Sequence, residues 1–167
     1  MNYLKNRNCS MDKSPIVIGN DHAAYQLKKL IIKHLTENGI EVKDIGTNNE
    51  NSVDYPDYGI KVASLVSTKE FGRGILLCGS GIGMSIVANR FSNIRAALCN
   101  DVFSAIISRK HNNSNVLVMG ARVIGETLAL EILKSWLETD FEGGRHQQRI
   151  DKFNDLGSSG FCDDKFQ

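Results

Sequence analysis

Residues Gly74 to Ala88 read Gly-Ile-Leu-Leu-Cys-Gly-Ser-Gly-Ile-Gly-Met-Ser-Ile-Val-Ala. An apolar run ends at Cys78, glycines follow at alternate positions, and a helical pattern begins after them. A short apolar run bounded by glycines is typical of a strand that is buried on both faces, and such strands form parallel sheets. The stretch therefore predicts a parallel α/β sheet with Cys78 at the carboxyl end of a strand, where open sheets of this kind bind their ligands.

The glycine loop after Cys78 predicts an anion site. Gly79, Gly81 and Gly83 allow a tight turn with uncovered amide groups, and the N-terminus of the next helix adds positive potential. A thiol beside such a loop is a candidate for the thiolate form, which acts as a base or nucleophile. Two alternatives remain open: a glycine turn that binds nothing, and a cysteine that is only a small buried apolar side chain.

The composition is typical of one soluble globular domain. The chain has 167 residues, 41% hydrophobic and 23% charged, and a formal net charge of +1. A charge this small lacks the excess of basic residues that is typical of proteins that bind nucleic acid or anionic membranes. No apolar stretch reaches the roughly 20 residues that a helix needs to span a bilayer. Residues 1–15 lack the apolar segment of a secretory signal. We therefore expect a cytoplasmic protein that binds neither nucleic acid nor membrane.

Five apolar runs alternate with helical patterns. The predicted strands are 16–19, 40–45, 75–77, 95–99 and 116–119, and the predicted helices are 23–38, 54–66, 84–91, 101–110, 126–139 and a last one from about 145. Because parallel strands need crossover helices, this pattern predicts a three-layer α/β/α fold, Rossmann-like and doubly wound, with a five-stranded sheet and a C-terminal helix. We expect one folded domain over residues 16–156, between a disordered lead (1–15) and a disordered tail (157–167).

Polar residues that could carry chemistry follow several of these elements. Asp21 and His22 come after the first strand, and would lie beside the glycine loop if strands one and three are neighbours; alternatively, Asp21 is a helix N-cap and His22 only packs. His111 ends a helix before a run of asparagines, which often just satisfies such an end, but a histidine can also move protons near neutral pH.

Arginines near the end of the chain suit a phosphate group. Arg145 and Arg149 are four residues apart and share one face of the last helix, where paired guanidinium groups match a phosphate dianion. Arg122 adds a cation after the fifth strand. The alternative for the arginine pair is a solvated basic face. No carboxylate is clustered with histidines along the sequence and the cysteines lack ligand spacing, so we expect no metal. This set of groups suits proton transfer next to the carbonyl of a phosphorylated substrate.

Five motifs in this order resemble those of the type B ribose-5-phosphate isomerases, a family that includes galactose-6-phosphate and allose-6-phosphate isomerases. The resemblance covers about residues 16–156. Its motifs are Gly-Asn-Asp-His (19–22), Asp-Tyr-Pro (54–56), Cys-Gly-Ser-Gly-Ile-Gly (78–83), His-Asn-Asn-Ser-Asn (111–115) and Gly-Gly-Arg-His-Gln-Gln-Arg (143–149).

The resemblance implies interconversion of ribose 5-phosphate and ribulose 5-phosphate through a cis-enediolate, without metal or cofactor. It implies that Cys78 is the base, that the loop amides hold the enediolate oxygen, that Asp21 and His111 open the sugar ring, and that the arginines hold the phosphate. It also implies homodimers with shared active sites, some of which pair into tetramers. The implied catalytic residues are Cys78, His111, Asp21 and Ser80, and the implied substrate contacts are Asp21, His22, Tyr55, Gly79, Ser80, Gly81, Ile82, Gly83, Asn112, Arg122, Arg145 and Arg149.

Two other functions stay open. An isomerase of a hexose 6-phosphate would use the same chemistry in a longer pocket, although the complete Arg145–Arg149 pair favours the pentose. A nucleotide-binding regulatory module could use the glycine loop, with Asp101 about 20 residues further on as the ribose-binding acid. The glycines follow the spacing Gly-x-Gly-x-Gly, however, and not the Gly-x-Gly-x-x-Gly of dinucleotide sites, and Cys78 would have no task.

Overall fold

A computed structural model describes residues 13–154 of the protein. The predicted sheet is confirmed: its five parallel strands lie in the order β2-β1-β3-β5-β4. The strands are β1 (Ile16–Asn20), β2 (Val42–Asp44), β3 (Arg73–Cys78), β4 (Ala96–Leu98) and β5 (Val116–Gly120). The disorder expected of the lead and the tail concerns residues that lie almost entirely outside the described range.

Six α-helices accompany the sheet in the described range, and a 3₁₀ turn at His22–Ala24 precedes the first of them. The helices are α1 (Tyr25–Glu37), α2 (Tyr55–Ser67), α3 (Ile82–Ala88), α4 (Val102–Asn112), α5 (Glu126–Glu138) and α6 (Arg145–Asn154). None of the helices between residues 13 and 154 has the length and hydropathy needed to cross a bilayer.

Alternate residues of the central strands belong to two separate hydrophobic cores. Ile18 and Leu77 pack in one core with Trp136 of α5 and with residues of α1. Val17 and Leu76 belong to the other core, with residues of α2 and α3. Because successive strand residues point to opposite faces, this division puts helices on both sides of the sheet. The three-layer architecture predicted from the sequence is therefore confirmed.

The order of the strands creates a crevice between β1 and β3. The chain leaves β1 for β2 on one side, whereas β3 pairs with the other side of β1, so the connections diverge at this point. Ligands of open α/β sheets bind in such crevices, at the carboxyl ends of the strands. Asp21 follows β1 and Cys78 ends β3, so the fold brings the two motifs to the same edge, as the sequence predicted for neighbouring strands.

Some element boundaries differ from the predicted ones. Helix α3 begins at Ile82, two residues earlier than expected, because Gly81 turns the chain directly into it with a left-handed φ of 80°. Strand β2 has three residues where six were expected, since it lies at the edge of the sheet and pairs with β1 alone. Helix α4 continues to Asn112 and ends where Asn113 adopts a φ of 46°.

Candidate active site

A cleft of ≈ 350 Å³ opens at the carboxyl edge of the sheet, between the ends of β1 and β3. Cys78 and the first residues of the glycine loop lie on one side of it, and Asp21 and His22 on the other. Tyr55 from the start of α2 and Arg122 from the segment after β5 complete its walls. The lining thus includes residues of three of the five motifs (19–22, 54–56 and 78–83) together with Arg122, but none of the motifs at 111–115 and 143–149.

Cys78 is held in place by the loop that follows it. Cys78 is only 4% exposed, and its Sγ accepts a hydrogen bond from the Gly81 amide at 3.1 Å. Gly81 cannot be replaced easily, because a Cβ there would lie 2.3 Å from Leu98 Cδ1. The loop therefore fixes the sulfur and provides it with a hydrogen-bond donor.

The glycine loop packs against the end of β5. The Ala121 amide donates to the Cys78 carbonyl and the Arg122 amide to the Gly79 carbonyl, each at 2.9 Å. These bonds bring the Arg122 side chain alongside Gly79, where an added Cβ would lie 3.5 Å from Arg122 Cδ. The Ser80 hydroxyl accepts from the Ile82 amide, the first of α3, at 3.3 Å. The result is a cation and a helix N-terminus beside the thiol.

Asp21 caps the 3₁₀ turn at His22–Ala24 and also lines the cleft. Its Oδ1 accepts from the Ala23 amide at 3.0 Å, so the capping alternative is correct, yet the side chain also lines the cleft. Burial raises the pKa of Asp21, and His22, the Ala23 and Ala24 amides and Arg122 oppose this effect. A carboxyl group with a raised pKa is suited to exchanging protons nearer to neutral pH.

The raised pKa of Asp21 predicts a pH-dependent stability difference for Asp21→Asn. The folded protein keeps the Asp21 proton at pH values where the unfolded chain has released it, so wild-type stability falls as pH rises through that interval. Asparagine has no charge to bury and can still accept from the Ala23 amide. Thermal unfolding between about pH 3 and about pH 7 should show Asp21→Asn gaining stability relative to the wild type as pH rises.

The control for this measurement is Asp57→Asn, because Asp57 is exposed on α2. If the stability of Asp21→Asn relative to the wild type stayed constant or fell as the pH rises, the effect of burial on Asp21 would be contradicted.

His22 is oriented by a backbone amide across the cleft. Its Nδ1 accepts from the Val53 amide at 3.2 Å, so the proton of the neutral ring lies on Nε2. Tyr55 follows shortly after Val53 and packs directly on the glycine loop, since a Cβ at Gly83 would lie 2.5 Å from the Tyr55 ring. Both side chains are therefore held by backbone contacts, and His22 can offer an N–H donor without a net charge.

The remaining predicted site residues do not line this cleft. His111 and Asn112 end α4, and Asn112 faces a separate cavity of ≈ 490 Å³ that Arg95 also lines. Arg145 and Arg149 are exposed on α6, which packs against α4. Within one chain the predicted residues thus form two groups, one around Cys78 and one around the α4–α6 contact.

One expectation about charge clusters is wrong. No carboxylate was expected to lie near histidines, yet Glu142, His111 and His146 have side-chain nitrogen and oxygen atoms that all lie within 4.8 Å of one another. His146 was part of a quoted motif without an assigned role, and Glu142 was not noted. The four-residue spacing of Glu142 and His146 was the available signal, but Glu142 precedes α6, so helical spacing alone did not indicate the contact.

Asp101 has a structural role as the N-cap of α4. Its carboxylate accepts from the Ser104 amide and from the Ser104 hydroxyl, each at 2.7 Å, and so caps the N-terminus of α4. These hydrogen bonds, chiefly the one from the Ser104 amide, lower the pKa of Asp101. The nucleotide-binding alternative therefore loses the support that the position of this acid gave it.

Known proteins match this chain over nearly the whole described range. Residues 16–153 match the family model described as Ribose/Galactose Isomerase. Ribose-5-phosphate isomerase B of Escherichia coli is 48% identical over 136 residues, which are 81% of this chain and 91% of that protein. D-erythrulose-4-phosphate isomerase of Pectobacterium atrosepticum is 46% identical over 139 residues, covering 82% and 91% of the two chains.

A solved structure shows the same architecture. Ribose-5-phosphate isomerase B of Clostridium thermocellum superposes with a TM-score of 0.85 at 47% identity, covering 86% of this chain and 97% of that one. The family match over residues 16–153 includes the residues of the sheet, the cleft and the α4–α6 contact. The chain therefore belongs to the ribose/galactose isomerase family and is an isomerase of the ribose-5-phosphate isomerase B type.

Proposed function

We propose that the protein interconverts D-ribose 5-phosphate and D-ribulose 5-phosphate through a cis-enediolate, with Cys78 as the base. The observation that carries this proposal is the cleft in which the Cys78 sulfur, the glycine loop, Asp21 and Arg122 lie together. Aldose–ketose isomerisation needs a base for the proton on carbon and hydrogen-bond donors for the developing oxyanion. The cleft contains a candidate for each.

These groups can carry out the complete transfer of the proton from C2 to C1. The Cys78 thiolate removes the proton from C2 of the open-chain aldose while negative charge develops on the C1 oxygen. The loop amides and the N-terminus of α3 stabilise that charge. The Cys78 thiol then returns the proton to C1, and the hydroxyl proton of O2 passes to O1, which leaves the ketose. Asp21 and His111 are proposed to move the protons of ring opening before this step.

The phosphate is proposed to lie where His22, Arg122, Arg145 and Arg149 converge. Because Arg145 and Arg149 do not line the cleft of their own chain, we propose that a second copy of the protein supplies them, together with His111 and Asn112. Exposed apolar side chains on the segments that follow β3, β4 and β5 support this assembly: they are Ile82, Ile86, Phe103 and Val123. A homodimer with shared sites, able to pair into tetramers, would bury them.

The length of the sugar is tested by substrate comparison. We expect kcat/KM to be highest for ribose 5-phosphate among ribose 5-phosphate, allose 6-phosphate and erythrulose 4-phosphate. The four-carbon substrate is included because a protein 46% identical to this chain is named for it. A higher kcat/KM for the six-carbon or the four-carbon substrate would keep the enediolate chemistry but replace the proposed substrate.

Replacing Arg145 or Arg149 with alanine should raise KM more than it lowers kcat. The phosphate is remote from C1 and C2 and is held throughout the reaction, so its contacts contribute to uniform binding. A charged hydrogen bond contributes roughly 1.5–3 kcal/mol, which corresponds to about 10–150-fold in affinity. Steady-state kinetics with ribose 5-phosphate measures both constants. Lys134→Ala, which removes an exposed cation of α5, is the control. If KM were unchanged in both arginine variants, the pair would be only a solvated basic face and not a phosphate site.

A further inference from the structure

The His111 ring lies flat on the ring of His146. The two centroids are 4.1 Å apart and the planes differ by 7°. Oε2 of Glu142 lies 3.9 Å from His111 Nε2 and 3.7 Å from His146 Nε2. A single carboxylate oxygen therefore faces both imidazoles, one of them half-exposed and the other buried.

The backbone holds this arrangement from both sides. The Glu142 amide donates to the Lys110 carbonyl at 3.1 Å, and Glu142 Oε1 lies 3.3 Å from Lys110 Nζ. Gly143 and Gly144 then reverse the chain with φ values of 64° and 54°. This reversal brings His146, in the first turn of α6, over the last turn of α4, so Glu142 is anchored to the helix that carries His111.

We propose that Glu142 is a positioning residue, which holds His111 and His146 as a pair that shares one proton and keeps the His111 ring oriented for ring opening. This inference rests on the proposed role of His111. Two protonated rings in a stack would repel each other, whereas one proton opposite a carboxylate oxygen is stabilised. Three cationic groups also act on this cluster: Lys110 of α4, and Arg145 and Arg149 of α6.

Electrostatics agrees with a single proton on this pair. Burial lowers the pKa of His146, His111, Arg145 and Arg149 lower it further, and Glu142 opposes them by raising it. A proton on His146 is therefore less favourable than on an ordinary histidine, and the half-exposed His111 is the ring that a substrate could reach. Removing the charge of Glu142 removes the one contribution that favours a protonated ring here.

A divalent metal would be the other use of two histidines and a glutamate, a ligand set that zinc accepts. The ring arrangement argues against it. Because the rings are parallel and stacked, the in-plane lone pairs of their Nε2 atoms run side by side and do not converge on one ion about 2.0–2.1 Å from each nitrogen. A metal would require one ring to turn out of the stack, so the observed geometry favours the shared proton.

The test is Glu142→Gln, which keeps the shape of the side chain and removes its charge. NMR titration of the ring nitrogens in the full-length protein should show the His146 midpoint moving to lower pH. The same variant should lose about 10-fold in kcat/KM for ribose 5-phosphate, less than the 10²–10⁴-fold of a lost general acid or base. The matched control is Glu131→Gln, the same substitution at an exposed glutamate of α5; it should change neither quantity.

The titration does not depend on catalysis, so it separates this inference from the proposed function. An unchanged His146 midpoint in Glu142→Gln would overturn the pairing, and a shifted midpoint with unchanged kcat/KM would overturn the positioning role. Wild-type activity that is lost on dialysis against EDTA and restored by Zn²⁺, but not restored in Glu142→Gln, would replace the shared proton with a metal site. Full activity of a Cys78 variant would overturn the mechanism alone and leave the titration result standing.

Discussion

Cys78→Ala should lower kcat by about 10²–10⁴-fold, the contribution of a general base, while leaving substrate affinity nearly unchanged. In the proposed mechanism Cys78 acts on the proton at carbon and makes little contact with the ground state. Its sulfur accepts only from the Gly81 amide, among the hydrogen bonds found in residues 13–154, so the substitution leaves one loop donor without its partner. Steady-state kinetics gives kcat, and calorimetric titration with ribose 5-phosphate gives affinity.

Cys99→Ala is the matched control for this variant. Cys99 is the other free cysteine within the described range, and it is fully buried in the core behind the sheet. Burial raises the pKa of the Cys99 thiol to about 11, so this residue stays a thiol at neutral pH. We expect Cys99→Ala to retain wild-type turnover. If Cys78→Ala kept more than a tenth of wild-type kcat, another residue would be the base.

The part of the site around Cys78 could be predicted from the sequence because it is local. A strand, a glycine loop and a helix follow one another between residues 73 and 88, and their geometry depends mainly on neighbouring residues. The approach of Asp21 needed one further assumption, that β1 and β3 are neighbours, and the sheet confirms it. The alternation of strands and helices was sufficient for the fold class because parallel strands require crossovers.

The part around His111 depends on contacts that no sequence pattern encodes. The stack of His111 on His146 exists because Gly143 and Gly144 reverse the chain, and glycine alone does not specify the direction of such a turn. Side-chain spacing placed Arg145 and Arg149 on one face of α6, but it could not indicate that these side chains do not line the Cys78 cleft of the same chain. Whether the residues around Cys78 and those around His111 meet in one site depends on how two chains of the protein assemble.

Mixing two inactive variants should restore activity if each site combines both groups. We predict that Cys78→Ala and His111→Ala, unfolded together and refolded in equal amounts, recover about a quarter of wild-type activity. Random pairing makes about half of the dimers mixed. In each mixed dimer one site collects both lesions, and the other receives an intact Cys78 from one chain and an intact His111 from its partner. The steady-state rate with ribose 5-phosphate measures the recovery.

The control pairs two lesions from the same group, Cys78→Ala with Asp21→Asn. Both residues line one cleft, so every site of a mixed dimer keeps one of the two lesions and no activity should return. The contrast between the two mixtures tests the division of the site directly, since refolding yield and dimer exchange affect both alike. If the Cys78→Ala and His111→Ala mixture gave no more than the average of its components, His111 would serve the same chain as Cys78. The exposed arginines of α6 would then need a different role.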